Sequence, residues 1–286
     1  MDQDFVLAIA LPLTLFFIMF GMGSNLTFLD FSRLKKIPGA MLTGIASQML
    51  LLPMLAFALL SQLGLSSEIF IGFMILALSP GGTTSNMFAY MAKGNLALSI
   101  SLTAIVSLIT PFTIPLVAGW VIVSELGLSS DIQLPFLITV AKLSAVTLVP
   151  VLLGMWLRYK RVDFCTKNEK TLTTLPFLML LMVIAGIINN NWEKMPEFIE
   201  QTSFPALLLA SLAILFGYLF ARIMRQDKKS SRTVAIETSI QNGGTAILVT
   251  GTILQNQQMT IAPVMYGILM LVPMFVYLLI LKYKAQ

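Results

Sequence analysis

Nine apolar runs, at roughly 5–23, 39–61, 68–92, 95–124, 133–158, 172–190, 203–224, 233–255 and 259–281, constrain this chain more than anything else in it. Each approaches the ~20 residues that a helix needs to cross a bilayer. Lipid offers no partner to unpaired backbone, so such runs are accommodated as helices. The expected fold class is therefore an all-α polytopic membrane protein with nine transmembrane helices. Composition agrees, with 57% hydrophobic and 11% charged residues and a mean hydropathy of +0.88. The fourth run is too long for a straight crossing, and Pro111 and Pro115 predict a kink in it.

The 18 Lys and Arg residues give a net charge of +5. They lie in small groups between apolar runs rather than on one face, which argues against a nucleic-acid surface and for a topology signal. One set of alternate connections holds Arg33, Lys35, Lys36, Lys93, Arg158, Lys160, Arg161, Lys167, Lys170, Arg222, Arg225, Lys228, Lys229, Arg232, Lys282 and Lys284. The opposite set holds Lys194, and Lys142 falls inside the fifth run. This asymmetry predicts a multi-pass protein of the inner (plasma) membrane, N-terminus outside and C-terminus cytoplasmic. Asp2 and Asp4 precede the first run and no small-residue cleavage site follows it, so no secretory signal is expected.

A single cysteine, Cys165, excludes an internal disulfide. The chain has no histidine, which removes the commonest metal ligand, the physiological-pH proton carrier and every His-based catalytic arrangement. Neither an enzyme nor a resident cofactor is expected.

Against that background one stretch stands out, Thr233-Val-Ala-Ile-Glu-Thr-Ser-Ile-Gln-Asn-Gly-Gly-Thr-Ala246 in the eighth run. Glu237 is the one carboxylate that cannot be placed at a membrane surface. A comparable Asp at bilayer depth costs about 2.5–3.5 kcal/mol on insertion scales, so such a group usually has a functional partner, and a cation is the natural one. Gln241 follows on the same helical face. Asn242-Gly243-Gly244 then predicts a break, tolerated only where backbone is packed in protein or lines a wet cavity.

The third run carries a similar interruption, Leu78-Ser-Pro-Gly-Gly-Thr-Thr-Ser-Asn86. Pro80 removes a backbone donor, the paired glycines relax the helix, and Thr83, Thr84, Ser85 and Asn86 offer side-chain oxygens. By the charge rule the two interrupted runs are antiparallel, and each is next to last in its half of the chain. Such placement is the mark of inverted-topology transporters, whose discontinuous helices meet near the midplane. The first repeat then covers about 1–125 and lacks one helix, the second about 132–286, within a single transporter domain over 1–286.

Four features have a plain alternative. Asn95, Ser99, Thr103 and Ser107 recur every fourth residue as one polar stripe that either bonds back to its own helix or faces a ligand. Gln48 is a lone amide that serves as interhelical glue or as a ligand. Glu237 pairs with a transported cation or, structurally, with Lys142. Glycine pairs beside both breaks can also simply permit close helix packing. One carboxylate among neutral hydroxyl, amide and carbonyl oxygens suits a sodium-like cation rather than a transition metal. The N-terminal ends of the inner half-helices attract an anion. Residues and spacing alone therefore predict a cation-coupled secondary transporter for an organic anion.

Phe20-Gly-Met-Gly23, Ser79-Pro-Gly-Gly-Thr-Thr-Ser-Asn86, Gly94-Asn-Leu-Ala-Leu-Ser99 and Glu237-Thr-Ser-Ile-Gln-Asn-Gly243 together resemble the bile acid:sodium symporter family, in order and in separation. The resemblance covers nearly the whole chain. It implies a nine-helix form lacking the family's first helix, with a panel domain and a core domain in which two broken helices cross. Two sodium ions are implied as coupling ions. One site would use Ser85, Asn86, Ser99, Thr103 and Glu237, the other Gln48, Glu237, Gln241 and the backbone carbonyls of Thr238 and Ile240. Substrate would sit near Thr83, Thr84 and Asn242. Some bacterial relatives carry a polar pair in the last helix, whereas Leu269-Met-Leu-Val-Pro-Met274 here is apolar, so substrate contacts there do not carry over. The expected partners are sodium, the lipid bilayer and a small organic anion, bile acid-like or a small carboxylate, without nucleic acid or an obligate protein partner. The alternatives are a sodium-independent anion exporter of related architecture and a membrane sensor that does not transport.

Overall fold

The computed structural model describes residues 9–27, 37–82, 84–127, 132 and 134–283. In chain order the helices are α1 (Leu11–Ser24), α2 (Pro38–Leu60), α3 (Ser67–Ala77), α4 (Thr84–Met91), α5 (Leu96–Leu126), α6 (Phe136–Lys160), α7 (Val162–Lys167), α8 (Glu169–Asn190), α9 (Met195–Ile223), α10 (Lys228–Ser239), α11 (Gly243–Ile253) and α12 (Gln257–Tyr283). Six helices are long and apolar enough to cross a membrane (α2, α5, α6, α8, α9 and α12), while α1, α3 and α11 are shorter apolar helices. Among the described residues the nine expected spans correspond to these six long helices, of which α6 and α12 are interrupted for one residue at Thr147 and Met270, and to the three shorter apolar ones. The first residues of the run at 5–23 lie outside the described residues, and the runs at 68–92 and 233–255 are each split in two.

Side chains at the ends set several boundaries. Ser66, Asn95, Asn242 and Asn256 cap α3, α5, α11 and α12 by accepting from the N–H of Ile69, Leu98, Thr245 and Met259. Gly127, with φ of 83°, ends α5, and Gly64, with φ of 62°, closes the turn that follows α2, both in a region that only glycine enters freely. Pro111 and Pro115 do not interrupt α5, which is helical through 31 residues. Ser47–Leu51 within α2 and Leu248–Ile253 within α11 are wound as π-helix. The first lies just before Pro53, whose missing N–H removes a donor from that turn.

Two groups of helices are apparent from packing. α1 lies against the second half of α6 and against α8. Their backbones nearly touch: a Cβ on Gly21 would strike the Leu172 carbonyl, on Gly23 the Val151 carbonyl and on Gly154 the Phe20 carbonyl. The Phe20-Gly-Met-Gly23 motif is thereby explained as close packing between small residues. The other group gathers α3, α4, α10 and α11 among α2, α5, α9 and α12, with α10 against α9 and α12 against α3. Ile69–Ala77 and Thr233–Gln241 are entirely buried, whereas Leu42, Met54, Leu116, Leu137, Met182, Phe204 and Leu279 of the surrounding helices are exposed. Apolar exterior around a polar-centred interior is the arrangement of a multi-pass membrane protein.

Candidate functional site

The two broken runs meet at their breaks. Backbone between α3 and α4 pairs with backbone between α10 and α11 as an antiparallel bridge, Gly81 opposite Gln241. The Gly82 N–H donates to the Ile240 carbonyl at 3.0 Å and the Asn242 N–H donates to the Pro80 carbonyl at 2.8 Å. Each break thus satisfies the backbone that the other leaves open, which is how unwound chain persists away from water. Glycine is required for the approach, because a Cβ on Gly81 would lie 2.6 Å from Glu237 Oε2 and one on Gly82 3.3 Å from the Gln241 carbonyl.

Glu237 sits beside this bridge with no exposed surface. Its Oε1 accepts from the hydroxyls of Ser85 and Ser99, each at 2.5 Å. Its Oε2 accepts from Thr103 Oγ1 at 2.9 Å and from Gln48 Nε2 at 3.3 Å. Four helices, α2, α4, α5 and α10, therefore converge on one carboxylate through neutral groups alone. Of the α5 stripe, Ser99, Thr103 and Ser107 are buried, Ser99 and Thr103 tying α5 to α10 through Glu237, while half-buried Asn95 caps the helix. Lys142 is exposed on α6, so the structural ion pair with Glu237 is not formed.

Other predicted residues gather around the same point. Asn86 Oδ1 lies 2.9 Å from Ser99 Oγ, competing with Glu237 Oε1 for its single proton, and does not meet the carboxylate directly. Gln241 Nε2 donates to the backbone carbonyls of Glu237 at 3.0 Å and Thr238 at 2.9 Å. The Thr238 and Ile240 carbonyls are consequently engaged by protein donors, the second of them in the bridge. What remains open is the Oε1 atom of Gln48 and that of Gln241, both buried and without a partner. Thr84 opens α4 and is half-buried. Asn242, 7% exposed, caps α11. Thr83 lies outside the described residues.

Several supporting contacts were not anticipated. Ser47 Oγ and Thr238 Oγ1 lie 2.7 Å apart, so adjacent residues of the α2 π-turn both reach α10. Ser239 Oγ donates to the Ala210 carbonyl, and Tyr266 Oη donates to the Ser239 carbonyl at 2.8 Å. Thr233 Oγ1 both accepts from the Asn95 N–H and donates to its carbonyl. A small-residue signal was legible at one of these contacts: a Cβ on Gly94 would lie 2.6 Å from Thr233 Oγ1. An apolar cleft lined by Ile187, Phe198, Ile261 and Met265 lies at the α8–α9 turn and contains none of the cluster residues.

A buried carboxylate ringed by hydroxyls, with two amide oxygens free, is a hard-oxygen donor set. Hydroxyls that donate to a carboxylate keep lone pairs for a cation. Among the described residues no group of three His, Cys, Asp or Glu side chains could hold a transition metal. Two interrupted helices whose breaks meet beside a buried polar cluster are an arrangement found in membrane transporters.

Comparison with known proteins makes the class specific. Residues 12–198 match the Sodium Bile acid symporter family, and the chain belongs to that family. It is 30% identical over 230 residues to the Bacillus subtilis (strain 168) protein named "Uncharacterized sodium-dependent transporter YocS", covering 79% of this chain and 69% of that one. It is 29% identical over 239 residues to the Oryza sativa protein named "Probable sodium/metabolite cotransporter BASS2, chloroplastic", covering 82% and 54%. With the "Ileal sodium/bile acid cotransporter" of Oryctolagus cuniculus it shares 30% identity over 241 residues, 83% of this chain and 67% of the other. The match thus spans just over half the length of the plant relative.

Proposed function

We propose that this protein is a sodium-coupled symporter that imports an organic anion across the plasma membrane by alternating access. The observation that carries this reading is Glu237, fully buried and met, among the described residues, only by neutral donors. A buried carboxylate without a cationic side chain calls for a mobile cation. The names of the similar proteins, sodium-dependent in each of the three cases above, support sodium as that cation.

Two ions are taken up on this reading. Ser85, Asn86, Ser99, Thr103 and Glu237 form the first position. Gln48, Gln241 and Glu237 form the second, where the unpartnered Oε1 atoms of both glutamines supply the oxygens. For Thr238 and Ile240 to contribute carbonyls there, Gln241 Nε2 and the Gly82 N–H must share them with the ion. The anion binds outside the bridge at Thr83, Thr84 and Asn242, where α4 and α11 begin and their dipoles favour negative charge. The α1–α6–α8 group acts as the panel and the remaining helices as the core, built from inverted repeats whose broken helices cross at the bridge. The excess of Lys and Arg in one set of alternate connections supports an N-terminus outside and a C-terminus in the cytoplasm.

Sodium and anion should strengthen each other's binding by equal factors. The test is uptake into proteoliposomes under an imposed sodium gradient, with a panel of organic anions and Glu237→Ala as control. Accumulation that requires the gradient and is lost in the variant is expected. Undiminished gradient-driven uptake by Glu237→Ala would remove the mechanism.

A further inference from the structure

Ser107 belongs to the α5 stripe but to neither proposed sodium position. It lies one helical turn, about 5–6 Å, beyond Thr103, whose hydroxyl bonds Glu237. Its side chain is 1% exposed, and its hydroxyl has no partner. A helical hydroxyl normally turns back onto the carbonyl four residues earlier. Ser79, Thr147, Thr202 and Thr250 all do so in this chain, at 2.9, 2.7, 2.6 and 3.0 Å.

The backbone at the same residue is unusual for an independent reason. The Ser107 carbonyl would ordinarily accept from the N–H of residue 111, and Pro111 has none. Its side-chain donor is Thr110 Oγ1, at 3.4 Å. Two hard oxygens of one buried residue, a hydroxyl and a carbonyl, are thus under-used within a turn of the Glu237 cluster.

We propose that Ser107 is a third coordination position for the transported cation, occupied in passing between the outer side and the Glu237 cluster. The proposal rests on the sodium-coupled reading above. In the proposed topology α5 runs outward from Lys93, so Ser107 stands on the outer side of Thr103. Neutral oxygens without a carboxylate hold an alkali ion weakly, which suits a relay rather than a resting site. A serine that merely packs would leave the sodium dependence of uptake unchanged on replacement by alanine, because losing a buried, unpartnered hydroxyl is neutral or stabilising in either case and stability alone does not tell the two apart.

Two substitutions address the two oxygens separately. Ser107→Ala removes the hydroxyl, and Pro111→Ala supplies an N–H that occupies the carbonyl. Sodium is titrated in two assays on each variant, proteoliposome uptake and equilibrium thermal stabilisation against a potassium background. Each variant is expected to raise the half-saturating sodium concentration for uptake about tenfold, the scale of one contact between a charge and a dipole. The double variant should add little to either. Ser107→Thr, which keeps the hydroxyl, should return to within about twofold of the parent. Melting in potassium should stay level or rise, and the equilibrium sodium midpoint should move less than about twofold, because the Glu237 positions are intact. An unchanged uptake midpoint in Ser107→Ala overturns the proposal. So does an equal shift in the equilibrium midpoint, which would assign Ser107 to the Glu237 site itself. If the parent protein's uptake ignores sodium, the symport reading fails and the third position with it. Should Pro111→Ala not fold, Ser107→Ala and Ser107→Thr decide the matter alone.

Discussion

The closest approach in the cluster is also its most sensitive point. A Cβ added at Gly81 would sit 2.6 Å from Glu237 Oε2 and 3.5 Å from Thr103 Oγ1. Carbon and oxygen do not rest that close, so the carboxylate or the bridge strand must move by more than half an ångström. Both are held, the carboxylate by four donors and the strand by the Gly82 and Asn242 bonds. Overpacking of this kind costs roughly 1–3 kcal/mol, and alanine returns about 0.4–1 kcal/mol through the unfolded chain. A net loss of up to about 2.6 kcal/mol is expected for Gly81→Ala, roughly 70-fold in an equilibrium constant. The strain falls on the oxygen that also meets Thr103 and Gln48, so sodium binding should suffer with stability. The assay is thermal melting of purified protein in matched sodium and potassium chloride, reading the increment that sodium adds. Gly82→Ala, with 3.3 Å to the Gln241 carbonyl, should be milder, and Gly267→Ala, with nothing within 4 Å, should keep the full increment. If Gly81→Ala melts and responds like Gly267→Ala, the steric reasoning is wrong.

Three other perturbations follow from individual contacts. Gln48→Leu removes a 3.3 Å donor to Glu237 together with a buried, unpartnered oxygen, so a sodium titration should show affinity down about tenfold while melting in potassium holds or rises. Tyr266→Phe leaves the buried Ser239 carbonyl at the end of α10 without its 2.8 Å donor, and melting in lipid nanodiscs should report a loss of roughly 1–3 kcal/mol. Asp227, outside the apolar runs, caps α10 through the N–H groups of Lys229 and Ser230. Ser230's N–H chiefly holds its carboxyl below the usual carboxylate range, against the opposing effect of burial. A depressed folded value means the cap contributes fully above the unfolded value near ~3.9 and is lost as pH falls through the folded one. Asp227→Ala should cost about 1 kcal/mol at pH 7, and its melting curve should converge with the parent's in acid; a constant gap at all pH values would contradict this.

Much of this site was legible before any coordinates, for physical reasons. Glu237 announced itself because lipid penalises an unpaired carboxylate, and the breaks did so because Pro80 and the glycine pairs cannot sustain a helix. Period-four spacing brought Ser99 and Thr103 to the same carboxylate. Contacts that depend on register and winding were hidden. The π-turn at Ser47–Leu51 places neighbouring residues on one partner, which regular helical spacing does not suggest. The Ile240 carbonyl is engaged because Gly81 aligns with Gln241, the Thr238 carbonyl because the Gln241 amide turns back onto its own segment, and Asn86 meets Ser99 across α4 and α5. Apolar length announced spans at 68–92 and 233–255 and their Pro and Gly residues the break in each, but neither showed that Ile69–Ala77 and Thr233–Gln241 would be buried on every face.

Direct sodium binding to the purified protein tests the central claim most plainly. Titration of radioactive sodium at constant ionic strength, on the parent and on Glu237→Gln, measures it without any assumption about the anion. Saturable binding by the parent that disappears in Glu237→Gln, with the variant's melting temperature in potassium retained, is the predicted result. Equal sodium binding by the two proteins would contradict the account.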